Sequence, residues 1–222
     1  MEIHKVRRSR GFILFIVYLF GYFNLVAQTY HIGYLTSSSG SQKEEIKAGL
    51  EFLKKEGYTA EAVPFEDLSY RKIKGYDQLW YHRPDSTAFS SEEIKAGKAI
   101  KKYVSRGGKL LLTLDATRLV NKWNIEETPV TSEYAEVVDE GFGRKLGFHA
   151  FRKHPLFKGL HGGAYIFHPK RDMKVRKLGF YEDNLPKGPN ASVLAIDWAY
   201  IFYHENNKLV WEYKLGEGNI LA

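Results

Sequence analysis

Residues 107–115 of the chain read Gly-Gly-Lys-Leu-Leu-Leu-Thr-Leu-Asp. The stretch Lys109–Leu114 is almost wholly apolar, too short for an ordinary helix, and bounded by a glycine pair and an aspartate. That combination predicts a strand buried on both faces, the kind found inside a parallel sheet. Upstream, Ser90 and Glu93 stand at the spacing of a capping box. Ala96, Ala99, Ile100, Tyr103 and Val104 follow at i, i+3, i+4, i+7 and i+8, which is one face of a helix. Gly107-Gly108 supplies the stop. A helix running straight into a buried strand implies a parallel partner strand upstream of it.

Gln78–His82 (QLWYH) is that partner, ended by Arg83-Pro84-Asp85. Ala60–Phe65 and Tyr30–Leu35 predict two more strands. Between them Ser41 and Glu44 form another capping box, Ile46, Leu50 and Leu53 share a helical face, and Gly57 ends the helix. A brief helix is expected over Thr117–Trp123. The first half therefore reads β-α-β-β-α-β-α. This order predicts an α/β fold: a flavodoxin-like three-layer sandwich, with helices on both faces of a mostly parallel central sheet.

The second half differs in texture. Five of the seven prolines lie in residues 124–190, which read as long loops with short strands around Tyr165–Phe167 and Lys177–Phe180. Ser192–Ile196 (SVLAI) reads as a buried strand. Ala199–His204 and Lys208–Tyr213 flank Glu205-Asn206-Asn207, a pattern that suits a hairpin. After the turn Gly216-Glu217-Gly218, the run Asn219-Ile220-Leu221-Ala222 opens a further apolar strand. A strand that starts so close to the last residue predicts a chain cut short at its C-terminus relative to similar folds.

Residues 1–27 have the layout of a secretory signal peptide. Lys5, Arg7, Arg8 and Arg10 precede a 16-residue uncharged run, Gly11–Val26, and cleavage is expected after Ala27. That run is shorter than the roughly 20 residues a membrane-spanning helix needs. An exported protein follows, periplasmic or extracellular, touching a membrane only through an uncleaved signal. Residues 28–222 then form the folded domain. Setting the four bases and one acid of residues 1–27 aside from 33 and 26 leaves 29 against 25, a net charge of +4. This mild excess, spread as single residues and pairs, does not read as a nucleic-acid partner. Cysteine is absent, which removes disulfides, thiol nucleophiles and Cys-ligated zinc.

Ligands of open parallel sheets gather at the carboxyl ends of the strands. One such place is the Thr36–Gly40 loop, which suits either an anion or an ordinary turn. Another is His82, Arg83 and Asp85, whose side chains suit a polyol or carboxylate, or else form a structural turn with a capping Asp. Asp115 follows the 109–114 strand as a ligand carboxylate or as a helix N-cap. The densest polar set is VDEGFGRKLGFHAFRKHPLFKGLHGG, residues 138–163. There Asp139, Glu140, Arg144 and His161 are candidate ligand-binding residues. Asp139 and Glu140 are adjacent, so on a strand they would face opposite ways. His149, His154 and His161 match no metal-ligand spacing, and neither a metal nor a cofactor is expected.

The element order, with WYHRPD (80–85), GGKLLLTLDA (107–116) and HPLFKGLHGG (154–163), resembles the class I glutamine-amidotransferase-like fold. More narrowly it is similar to the ThuA-like and β-galactosidase-trimerisation-like branches. WYHRPD, EGFGRKLGFHAFRKHP (140–155) and GLHGGAYI (159–166) resemble exported proteins of Bacteroidota, in which such a domain often leads a longer carbohydrate-active chain. The resemblance spans roughly residues 30–222. It implies a Cys nucleophile on a sharp turn after the strand corresponding to 109–114. This chain has no Cys and no G-x-S-x-G elbow, so amidotransferase chemistry is excluded.

Three functions fit these residues. One is a non-catalytic binding or accessory domain associated with carbohydrate, its partner a glycan or small sugar. The second is a hydrolase or isomerase acting on carbohydrate through a carboxylate or His in a cleft. The third is a structural module that packs on a catalytic domain outside this chain.

Overall fold

Among the described residues the α/β order read from the sequence builds one sheet of nine strands. The computed structural model describes residues 30–37, 43–66, 68–84, 86–132, 145–150, 154–159, 163–167, 179–199 and 202–222. The strands are β1 His31–Thr36, β2 Thr59–Pro64, β3 Gln78–Arg83, β4 Lys109–Leu114, β5 Lys145–Ala150, β6 Gly163–Phe167, β7 Ser192–Ala199, β8 Phe202–Leu215 and β9 Gly218–Leu221. Their order across the sheet is β2-β1-β3-β4-β9-β8-β7-β5-β6. The first five are mutually parallel, and from β9 onward each neighbour is antiparallel. The expected parallel centre is present, and an antiparallel wing extends it. Asn219, Ile220 and Leu221 lie inside the sheet, between β4 and β8.

Helices α1 Lys43–Lys55, α2 Tyr70–Ile73, α3 Ser91–Lys95, α4 Gly97–Ser105 and α5 Leu119–Lys122, with the 3-10 turns Asp115–Arg118 and Pro155–Phe157, complete the described elements. The step from β1 to β2 runs one way across the sheet, and the steps from β2 to β3 and β3 to β4 run the other. Right-handed crossovers then put α1 on one face, and α2 and α4 on the opposite one. In keeping with this, α2 packs against α4 and α1 against β2. The main core fills the α4 face: Leu79, Tyr81, Ile100, Val104, Leu112, Leu119 and Trp123 are all buried there. Gly107 ends α4 with φ +98, the left-handed conformation that glycine adopts without steric cost.

Several expectations are corrected. The helix over 90–104 is broken at Ala96 into α3 and α4. The break is where Gly97 meets Trp123, whose indole would overlap any Cβ at that position. The short helix α2 was not anticipated. Lys145–Ala150 is a strand rather than loop, and its neighbours on both sides are strands, β6 and β7. Glu205-Asn206-Asn207 is not a hairpin turn. It bulges out of β8 where Asp197 pairs with His204 and Ile196 with Lys208. The bulge is held from the side: Asp183 N–H donates to the Asn206 carbonyl at 3.0 Å, and Tyr181 and Lys208 exchange two backbone bonds. An extra stretch in a strand twists it and terminates pairing locally, which lets the 180–183 segment dock there. Of the strand expected at 177–180, Gly179 and Phe180 are described, and Phe180 bridges Thr131. The capping residue Ser41 lies outside the described residues.

A buried carboxylate ties the loops of the second half to the sheet. Glu126 is 3% exposed. Its Oε1 accepts from Thr128 N–H at 2.7 Å, and its Oε2 accepts from the N–H groups of Lys187 and Gly188, each at 2.7 Å, and from the Tyr213 hydroxyl at 3.0 Å. Burial by itself would raise this carboxyl, but the N–H donors of Thr128, Gly188 and Lys187, with the Tyr213 hydroxyl, outweigh it and hold the pKa below its ordinary value. The unfolded chain titrates this group near a pKa of about 4.3. A pKa depressed by folding contributes stability that is fully present above that value and is lost as pH falls through the lower folded one. Glu126→Gln should therefore flatten the acid limb of a plot of unfolding free energy against pH. A limb as steep in the variant as in the parent would remove Glu126 from this role.

Candidate functional site

The carboxyl ends of β3 and β4 bring Arg83 and Asp115 together, as the end of a parallel sheet should. Alternation along β3 buries Leu79, Tyr81 and Arg83 on the α4 face and leaves Trp80 and His82 half-buried on the α1 face. Arg83 is 1% exposed and Asp115 is fully buried. The Arg83 Nη1 donates to Asp115 Oδ2 at 2.5 Å, and its Nε faces Glu93 Oε1 at 3.4 Å. Its Nη2 donates to the Thr87 carbonyl, the Thr87 hydroxyl and the Ala88 carbonyl at 2.9–3.1 Å. Phe89 lies against the guanidinium plane, 4.4 Å from its ring centre. Asp115 is completed by Arg118 at 3.1 Å and by the Ser132 hydroxyl at 3.0 Å.

Glu93 carries the network into α3. Its carboxylate accepts from the Tyr81 hydroxyl at 2.5 Å and from Ser90 N–H at 2.6 Å, while Ser90 caps its own N–H. The capping box read from the sequence is thus also half of an ion pair. Burial, then the hydrogen bond to Glu93 and its charge, push the Tyr81 hydroxyl far above its ordinary pKa. Trp123 Nε1–H adds a bond to the Glu93 carbonyl at 2.9 Å.

Asp115 is not a helix N-cap. Leu114 holds that position and Asp115 is the first residue of the 3-10 turn Asp115–Arg118, its carboxylate aimed at Arg83 instead. Leu114 itself has φ 59 and ψ −128, a left-handed backbone that costs a bulky side chain of order 1–3 kcal/mol. The strain is held by packing around it. The Thr117 hydroxyl reaches the Leu114 carbonyl at 2.9 Å and the Gly179 carbonyl at 3.1 Å. A Cβ on Gly179 would overlap the Thr117 hydroxyl and crowd the Leu114 carbonyl. A sharp strand-to-helix turn of this sort is the backbone on which hydrolases carry a nucleophile. Here it carries leucine.

His82 alternates with Tyr81 and Arg83 along β3 and occupies the other face. Tyr34, Trp80, His82 and Thr113 form a strip there along β1, β3 and β4. Trp80 Nε1–H donates to Thr113 Oγ1 at 3.0 Å, and His82 Nδ1 lies 2.8 Å from the same oxygen. The Tyr34 and Trp80 rings meet edge to face at 5.1 Å, and burial pushes the Tyr34 hydroxyl up to about 12, with Glu45 adding to the rise. Gly49 of α1 fits against Tyr34, where a Cβ would come within 2.8 Å of the ring. So α1 covers Tyr34, while Trp80, His82 and Thr113 stay half-buried.

The remaining sequence candidates, Asp85, Asp139, Glu140, Arg144 and His161, lie outside the described residues, as does most of the Thr36–Gly40 loop. His154 is described: its Nε2 lies 3.8 Å from Glu212 and its Nδ1 accepts from Leu156 N–H. Among the described residues no group of three His, Cys, Asp or Glu could hold a metal ion, and no helix is long and apolar enough to cross a membrane. Sequence reading missed Glu93 as a counter-ion, and Arg118, Ser132, Trp80 and Thr113 as site residues. For Glu93 a signal existed: Arg83 alternates with Leu79 and Tyr81, so it must be buried and must find an acid.

The chain is similar to a glutamine amidotransferase from Thermotoga maritima, with a TM-score of 0.44 and 9% identity over 86% of this chain and 74% of that one. It is also similar to the glutaminase domain of Trypanosoma brucei CTPS solved with acivicin, with a TM-score of 0.42 and 10% identity over 76% and 75% of the two chains. No family model matches the chain, and no curated protein matches it.

Removing one partner of a buried ion pair leaves the other charge without compensation, at about 3–5 kcal/mol. Asp115→Ala should lower folding stability by that amount in urea unfolding, and a loss under ~1 kcal/mol would mean that the network does not hold the sheet end. Leu114→Gly should be close to neutral, because relief of about 1–3 kcal/mol of backbone strain offsets the lost side chain. Leu112→Ala, one turn of the pleat earlier and buried, should cost about 2–5 kcal/mol.

Proposed function

We propose that the chain is a non-catalytic, carbohydrate-associated binding or accessory domain of an exported protein, of the ThuA-like or β-galactosidase-trimerisation-like kind found in Bacteroidota. One observation carries this reading. The strained turn after β4, the position suited to a nucleophile, holds Leu114, and the acid beside it has both oxygens engaged by Arg83, Arg118 and Ser132. A carboxylate committed to two guanidiniums and a hydroxyl is a poor general base, because catalysis needs it within reach of a substrate proton.

The ligand strip is the half-buried set on the α1 face. Trp80 offers an indole face beside the His82 imidazole and the Thr113 hydroxyl. A sugar ring presents an apolar face edged with hydroxyls, which matches an aromatic platform flanked by polar groups. Arg83 and Asp115 support the strip from behind by fixing the ends of β3 and β4.

The test is calorimetric titration with a panel of neutral oligosaccharides, with reducing-end release assayed in parallel. Trp80→Ala and His82→Ala are each expected to weaken binding at least about tenfold, ~1.4 kcal/mol, with unchanged circular dichroism and no turnover in any protein. Affinity unchanged in both variants sinks the strip as the site. Sugar turnover by the parent chain sinks the non-catalytic reading.

A further inference from the structure

The two helical layers differ in charge. On one face of the sheet, α1 mixes signs: Lys43, Lys47, Lys54 and Lys55 alternate with Glu44, Glu45 and Glu51, and Lys47 pairs with Glu51 at 3.9 Å. That is an ordinary solvated helix surface. On the other face no acid occurs from Ile94 to Leu114. Lys98, Lys102 and Arg106 follow at i, i+4 and i+8 as one stripe along α4 and its C-cap, Lys95 stands just before the break at Ala96, and all four are exposed. Arg71 and Lys72 of α2 are exposed as well, and α2 packs against α4.

Tyr70 joins the two helices. Lys102 Nζ lies 4.9 Å and the Arg106 guanidinium 5.0 Å from its ring centre, and Arg106 reaches its hydroxyl at 3.4 Å. Acids at the margins, among the described residues, include Glu92 three residues before Lys95, Glu66 ahead of α2, Glu217 beside Gly107, and Asp77, whose carboxylate accepts from His31 N–H at 2.8 Å. Like charges at i and i+4 repel; Lys95 is partly relieved by Glu92, whereas no acid lies within Lys98–Arg106. An anion from outside would relieve Lys98, Lys102 and Arg106 together.

We infer that the α2–α4 face binds an acidic polysaccharide, a chain of carboxylated or sulfated sugars lying along the stripe. The choice of sugar as the polymer rests on the carbohydrate reading above, whereas the charge argument does not. Three features favour it over other polyanions. Tyr70 is already engaged by two cations, so it does not offer its ring as a platform for an unpaired base. The stripe is mostly lysine, a hydrated point charge, rather than the arginine fork that phosphate recognition favours. Of the exposed large apolar residues only Ile94 lies on these helices, too little to insert into a membrane surface.

The experiment measures binding of the full chain to polygalacturonate over a series of salt concentrations. Poly(dT), vesicles containing phosphatidylglycerol and neutral dextran serve as comparison probes. Lys98→Glu with Lys102→Glu should reduce polygalacturonate affinity at least tenfold and flatten its salt dependence. Lys54→Glu with Lys55→Glu on α1 applies the same charge change and should leave it within twofold. Lys98→Glu with Lys102→Glu should leave binding of the neutral oligosaccharides within twofold, so failure of the neutral-sugar strip and failure of this surface remain distinguishable. The inference is overturned by equal effects of the two double variants, by tighter binding to poly(dT) or to the vesicles, or by no binding to any polyanion.

Discussion

The guanidinium of Arg83 is the point on which this end of the fold depends. A charge with 1% exposure must be matched from inside the protein, because desolvation is repaid only by close opposite charge and filled hydrogen-bonding positions. Matching it recruits the end of β4 through Asp115, the start of α3 through Glu93, and the loop between β3 and α3 through Thr87 and Ala88. Each partner is secured in turn. Glu93 is held by Ser90 and Tyr81, and Asp115 by Arg118 and Ser132. One buried charge thus fixes where two parallel strands end and where the helix between them begins.

That arrangement bears on function as well as stability. Both carboxylate oxygens of Asp115 are engaged, by Arg83, Arg118 and the Ser132 hydroxyl, so a proton transfer there would have to break one of these contacts. The turn before it is strained at Leu114 and clamped by Thr117 and Gly179. Strain of this kind persists only where surrounding structure over-determines it. Because successive residues on a strand face opposite ways, the same β3 that buries Arg83 presents Trp80 and His82 on the other side. The ion network and the half-buried aromatic strip are the two faces of one strand.

The candidate site was legible in its members more than in its arrangement. Arg83 and Asp115 stood out because each ends a predicted parallel strand. Their mutual pairing follows from register, Arg83 opposite Leu114 with Asp115 next, and register is not written in either segment alone. Glu93 was visible only as a capping residue, since a local hydrogen bond leaves a local signature and a contact with Arg83 does not. The antiparallel wing was the least legible part. Lys145–Ala150 carries a glycine mid-strand, and the polar trio 205–207 imitates a turn while it is in fact a bulge docked on residues 181–183.

By itself the sequence determined what local chemistry controls: the apolar strands of the parallel centre, the capping box at Ser90, the glycine stop after α4, and the absence of any thiol. These depend on backbone preference and on neighbours within a turn or two, so they survive being read in one dimension. Only the tertiary structure decided that β9 returns to the middle of the sheet, that Arg83 and Asp115 satisfy each other, and that Arg71, Lys72, Lys98, Lys102 and Arg106 share one face. Those outcomes depend on which distant segments are brought together, and a charge acquires its meaning from what stands across from it rather than from what precedes it in the chain.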